Sequence, residues 1–113
     1  MRSVRLVNNH AGETERPEQI KRMLKELFRE LSPALKGYKV FLFGSRATRT
    51  ASPRSDFDVG VYGDKPMALH VFYRIEDRLD ALATLYAIDW VDFNRVDPGF
   101  RERALKNIEI LYE

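Results

Sequence analysis

The chain has 113 residues, 44% of them hydrophobic, and a formal net charge of +2: enough to bury one core, with little room for a second. Cysteine is absent, which excludes disulfides and thiolate metal sites and makes a reducing, cytoplasmic setting the expectation. No segment approaches the ~18 apolar residues of a membrane span, no apolar leader stands at the N-terminus, and the small charge does not argue for nucleic acid, so neither membrane nor direct nucleic-acid binding is expected.

Residues 1–15 are polar and lack a clear period; they read as a flexible extension that includes His10, leaving residues 16–113 as a single domain. Pro17 suits the first position of a helix. Ile20, Met23, Leu24, Leu27, Phe28 and Leu31 then recur at helical spacing as one apolar stripe. Ser32-Pro33 stops that helix, because a residue before proline resists the α region. Val40 to Phe43, bounded by Gly37 and Gly44, is a continuous apolar run of the kind a buried strand shows. A polar loop leads to a second strand over Asp56–Tyr62. A long helix is expected from about Lys65 to Leu85, with Leu69, Phe72, Leu79, Leu82 and Ala83 inward and His70 incidental. Ala87–Phe93 reads as a third strand. Asp97 can cap a final helix with Pro98 at its first position and Phe100, Ala104, Leu105, Ile108 and Leu111 as its buried stripe. The order α-β-β-α-β-α predicts an α+β domain, helices packed on one short mixed sheet. Tyr62, Tyr73, Tyr86, Tyr112 and Trp90 read as core or interface aromatics.

Two short motifs carry chemistry. Gly44 has no Cβ, so the backbone can turn sharply after the first strand and let a phosphate come close. Ser45 adds a hydroxyl, and the N–H groups that follow can form an anion-binding nest. After a ten-residue spacer, Asp56-Phe57-Asp58 places two carboxylates on one face of a strand, since side chains there alternate with a period of two. Like charges so placed repel unless a cation sits between them, and Mg²⁺ takes a few carboxylate oxygens plus water and substrate phosphates. Gly-Ser is an ordinary turn, and an Asp-x-Asp is common in a chain with eight aspartates. The two together, at one distance and on neighbouring strands, are what point to a nucleotide site. A third acid is wanted near the attacking oxygen of a phosphoryl transfer. Asp89 and Asp92 both lie on the third strand but face opposite sides, Asp89 with Val91 and Phe93, Asp92 with Ile88 and Trp90. The spacer holds three arginines and no acid; Arg46, beside the notch, is the candidate for phosphate, while Arg49 and Arg54 read as solvated.

Gly44-Ser45, the spacer and Asp56-x-Asp58 resemble the signature of the polymerase-beta-like nucleotidyltransferases. Phe43-Gly44-Ser45-Arg46-Ala47, the Ser55 before Asp56, and the strand Ile88-Asp89-Trp90-Val91-Asp92-Phe93 narrow the resemblance to the minimal nucleotidyltransferases (MNT), small antitoxin partners of HEPN-domain toxins. The similarity spans roughly Pro17 to Glu113. It implies the nucleotidyltransferase fold, with Mg²⁺ on Asp56, Asp58 and Asp89, and ATP over Gly44, Ser45 and Arg46. Asp89 is preferred to Asp92 because the family's third acid follows a β-branched residue at the start of this strand, as Asp89 follows Ile88. The implied activity is transfer of AMP to a tyrosine of a HEPN toxin, which silences it. A chain this short is expected to borrow its acceptor site from a partner or a second copy. The alternative is a non-catalytic antitoxin that blocks its toxin by steric contact; an RNA-binding domain using the arginine loop would need a larger basic face.

Overall fold

In the computed structural model, which describes residues 16–113, Pro17 opens helix α1 (Pro17–Glu30) as its fixed φ favours. The extension expected over residues 1–15, with His10, lies outside the described residues. The Arg16 N–H donates to Gln19 Oε1 at 2.8 Å, satisfying a donor at the helix start. Ile20, Leu24, Leu27 and Phe28 are buried along one face, each contributing ~1.5–3 kcal/mol through the apolar area it removes from water. At Ser32-Pro33 the chain tightens into a 3₁₀ turn, Ser32–Ala34. Gly37, with φ 85°, then turns it into strand β1 (Tyr38–Phe43).

Beyond β1 lie a single helical turn α2 (Ser45–Thr48), strand β2 (Phe57–Gly63), helix α3 (Leu69–Asp80), strand β3 (Ile88–Asp92), helix α4 (Pro98–Ala104) and strand β4 (Glu109–Tyr112). The four strands form one sheet in the order β3-β2-β1-β4. β1 is antiparallel to both β2 and β4, while β2 and β3 run parallel, the crossover between them being α3. This is the expected α+β domain with a short mixed sheet.

Alternation along the strands separates two apolar layers. Val40, Leu42, Phe57, Val59, Val61, Ile88, Trp90 and Leu111 meet α1 and α3 on one face. Trp90 stacks with Phe28 and Phe72 at ring distances of 5.6 and 5.5 Å, and its indole N–H donates to the Phe72 carbonyl. On the other face Phe41, Phe43 and Phe93 pack with Val91, Ala104, Leu105 and Ile110. A Cβ on Gly60 would lie 2.7 Å from Phe41 and 2.8 Å from Phe93. The missing side chain is what lets those two rings meet edge to face at 4.9 Å. The short α4 covers only part of this second face.

Two helices are shorter than their periodicity predicts. The α3 helix begins at Leu69 rather than near Lys65, because Pro66 disfavours helix before it and Met67 is tied into a coil. The Met67 N–H donates to Asp92 Oδ2 and its carbonyl accepts from Arg95. Leu69, expected inward, is exposed, and Ile75 and Leu79 are the buried residues of this helix. Thr84 is buried in the turn that replaces the helix after Asp80, and its Oγ1 accepts from the Tyr86 N–H.

The final helix is corrected more sharply. It ends at Ala104, and Glu109–Tyr112 is not its last turn but β4. The open edge of β1 supplies the ladder partners, with Phe41 opposite Ile110 and Leu42 opposite Glu109. A strand then sends Leu111 into the first apolar layer and Ile110 into the second, which one helical stripe cannot do. The Lys21–Glu109 ion pair at 2.9 Å joins this edge to α1. Among the described residues no helix is long and apolar enough to cross a membrane.

Candidate active site

The site is built at the end of β1 and the beginnings of β2 and β3. Gly44 takes φ 71° and ψ −151°, a region open in practice only to glycine. A Cβ there would stand 2.5 Å from Asp58 Oδ2. Both backbone conformation and space therefore require glycine, and the bare Cα brings the turn directly against a carboxylate. The turn is α2 rather than irregular loop, with the Ala47 and Thr48 N–H groups each donating to the Gly44 carbonyl at 3.0 Å. The N–H groups of Ser45 and Arg46 have no acceptor among the described residues.

Parallel pairing of β2 and β3 puts Asp58 opposite Asp89 in the ladder. The two carboxyls lie close enough to hydrogen-bond when Asp58 is protonated. Burial, then the charge of Asp89 and that hydrogen bond, push the Asp58 carboxyl up from 3.8 to about 6, and Asp56 adds to the rise. Asp56 itself is exposed, one residue before β2 begins. Among the described residues no three acidic or histidine side chains converge closely enough to enclose a cation. The Asp58–Asp89 pair nonetheless has the chemistry a divalent ion would relieve, two crowded carboxylates with open positions left for water and phosphate oxygens.

Asp92 occupies a different environment. It is buried, accepts from the Met67 and Asn94 N–H groups at 2.9 Å each, and pairs with Arg95 Nε at 3.4 Å. Its work is to fasten the connection after β2 to the end of β3. Asn94, beside it, exchanges hydrogen bonds with both the N–H and the carbonyl of Gly63.

Arg46 is also placed otherwise than at the phosphate notch. Its guanidinium lies 4.3 Å from the centre of the Phe57 ring and 5.3 Å from that of Tyr86, and it donates to the Ser55 carbonyl at 2.7 Å. Phe57 belongs to the opposite face of β2 from Asp58. Arg46 thus ties the spacer loop down immediately before Asp56, with its Nε buried and without a partner among the described residues. Arg49 ends α2 in a left-handed conformation, φ 63°, and both it and Arg54 are exposed.

An open cleft of about 360 Å³ adjoins the notch. Phe43, Gly44, Thr48 and Asp58 form one side, and Phe100, Arg103, Ala104 and Asn107 the other. No motif marks the α4 residues in this wall. Phe100 was expected in a buried stripe, but in the structure it is partly exposed and lines the cleft.

The profile of the polymerase beta nucleotidyltransferase family matches residues 18–113. Among solved structures, a chain of a toxin–antitoxin complex with AMP-PNP superposes with a TM-score of 0.55 at 18% identity, over 81% of this chain and 72% of that one. A chain of the toxin–antitoxin MntA-HepT gives 0.52 at 17% identity, over 84% and 71%. A chain of the tri-AMPylated Shewanella oneidensis HEPN toxin in complex with MNT antitoxin gives 0.52 at 14% identity, over 81% and 71%. At these identities the likeness is one of fold, and no curated protein matches the chain. The profile, by contrast, takes in the notch, both strands that bear acids and the closing strand, and by it the chain belongs to the polymerase beta nucleotidyltransferase family.

Proposed function

We propose that this protein is a Mg²⁺-dependent nucleotidyltransferase that moves AMP from ATP to a tyrosine hydroxyl of a HEPN-domain toxin, and so acts as an antitoxin. The observation that carries this is the pair Asp58 and Asp89, held side by side across a parallel ladder and against a glycine that admits nothing larger. Nothing in fold stability calls for two carboxylates in such contact, and a divalent cation brought in with the nucleotide would relieve it. The neighbours crystallised as toxin–antitoxin complexes, one with AMP-PNP and one tri-AMPylated, support the choice of donor and partner.

In this reading the Ser45 and Arg46 N–H groups and the Ser45 hydroxyl hold phosphate oxygens at the notch. Asp56 and Asp58, with Asp89, would hold Mg²⁺, which would neutralise the charge that develops as pyrophosphate leaves. Asp89, exposed at the start of β3, accepts the proton from the tyrosine hydroxyl as its oxygen bonds to the α-phosphorus. The bond from the α-phosphorus to the bridging oxygen breaks, and AMP remains as an ester on the partner. Arg46 keeps the loop before Asp56 fixed, so that the outermost carboxylate is presented without a long search.

The test is mass spectrometry of a HEPN partner after incubation with this protein, Mg²⁺ and each of the four nucleoside triphosphates in turn. A gain of one or more AMP masses with ATP, lost in Asp58→Asn, is expected. A stable complex that neutralises the toxin with no mass gain from any triphosphate would replace this reading by steric inhibition.

A further inference from the structure

The cleft beside the notch has a chemical polarity that the motifs do not explain. One end is Gly44 and Asp58, where phosphate is proposed to sit; the other is the α4 wall. Phe100 in that wall is anchored against Phe93 at 5.7 Å and Phe43 at 6.1 Å, and yet is 36% exposed. It is therefore an aromatic surface held in place by other rings and left uncovered on the cleft side. Arg103, one turn further along α4, is exposed, and its side chain has no ion pair or hydrogen bond among the described residues. A free guanidinium and an open ring, on one wall of a cleft that starts at the reacting carboxylates, match the two ends of a nucleotide.

We infer that this cleft seats the donor nucleotide, with Phe100 stacking on the base and Arg103 pairing with the phosphates. The inference rests on the nucleotidyltransferase reading and adds to it the residues that receive the nucleoside. Stacking tolerates any base because every base has a π face, so Phe100 supplies affinity and leaves the choice among bases to their edges. The Arg103 fork meets phosphate oxygens in a geometry that lysine does not reproduce.

Calorimetric titration of the intact protein with three probes separates these roles: ATP, adenosine and tripolyphosphate, each with Mg²⁺. Phe100→Ala should weaken ATP and adenosine binding roughly tenfold and leave tripolyphosphate unchanged, while Phe100→Trp holds the wild-type affinity. Arg103→Ala should weaken ATP and tripolyphosphate roughly tenfold and leave adenosine unchanged, with Arg103→Lys rescuing only in part. Thermal midpoints show whether each variant is folded, and Phe100→Trp keeps the test open if Phe100→Ala is not. If ATP binds the wild type and is lost in Asp58→Asn, yet Phe100→Ala and Arg103→Ala bind it normally, the nucleoside sits elsewhere and the inference falls while the enzyme reading stands. If the wild type binds none of the four nucleoside triphosphates, both fall together.

Discussion

Replacing Asp58 by asparagine should abolish nucleotidyl transfer and at the same time stabilise the metal-free protein above pH 6. In the folded protein the carboxyl is raised from 3.8 to about 6, so the native state holds a proton there that the unfolded chain has already lost. The sign follows by linkage: stability is fully present below pH ~4 and falls as pH rises through about 6. If nothing screened it, a rise of this size would be worth ~3 kcal/mol. Asp58 is partly exposed, and solvent and salt reduce that to roughly 1 kcal/mol. For a domain near 100 residues this is a gain of roughly 4–8 °C in midpoint. Asparagine keeps a donor toward Asp89 and removes one charge, so the gain belongs at pH 7.5 and should vanish near pH 4. Urea denaturation of both proteins at pH 4.5 and 7.5, in EDTA, measures it; the titration observed belongs to the Asp58–Asp89 pair rather than to one carboxyl. A variant less stable than wild type at pH 7.5, or a difference equal at both pH values, would refute the reasoning.

The remaining predictions separate acids that look alike in the sequence and loops that look irregular. Asp89→Asn should eliminate transfer with unfolding free energy unchanged or slightly higher. Asp92→Ala should cost ~2–4 kcal/mol, because it strands the buried Met67 N–H, the half-buried Asn94 N–H and Arg95; comparison of urea midpoints with activity per folded molecule distinguishes the two. Gly44→Ala forces a strained φ and a contact with Asp58 Oδ2, so a loss of ~2–3 kcal/mol together with all transfer activity is expected in the same assays. Arg46→Lys should fail to restore what Arg46→Ala loses, since the flat guanidinium is used against Phe57 and Tyr86 as well as Ser55. Protease cleavage within residues 49–55, faster in both variants, would report the loosened loop.

The strands that carry chemistry were legible because two apolar runs end at Gly44 and begin at Asp56, and local pattern alone decides both. The orientation of Asp89 and Asp92 was legible for the same reason, period two on a short strand. What could not be read was set by tertiary partners. The run Ile108–Tyr112 fits a helical stripe as well as a strand, and the unfilled edge of β1 decides for the strand. Leu69 continues the apolar spacing of α3 but opens that helix directly after the coil of Pro66 and Met67, and it stands exposed. Arg46 has a motif neighbour and a nearby aromatic, and sequence adjacency favours the first while packing on Phe57 realises the second. The cleft wall from Phe100 to Asn107 has no signature because it is made by a helix end and the turn after it.

The place of β4 has a consequence for how the chain folds as it is made. β1, which leads into Gly44, lies between β2 and β4, and Ile110, the partner of Phe41, follows it by nearly seventy residues. A nascent chain that has already formed β1 and β2 therefore presents an unpaired apolar edge until residues 109–112 emerge, and such pairings of distant segments form slowly. During that interval the edge is open to strands of other chains. Slow translation just before Glu109 would lengthen the exposure, and a strand of another chain that arrives early on that edge would take the place of β4.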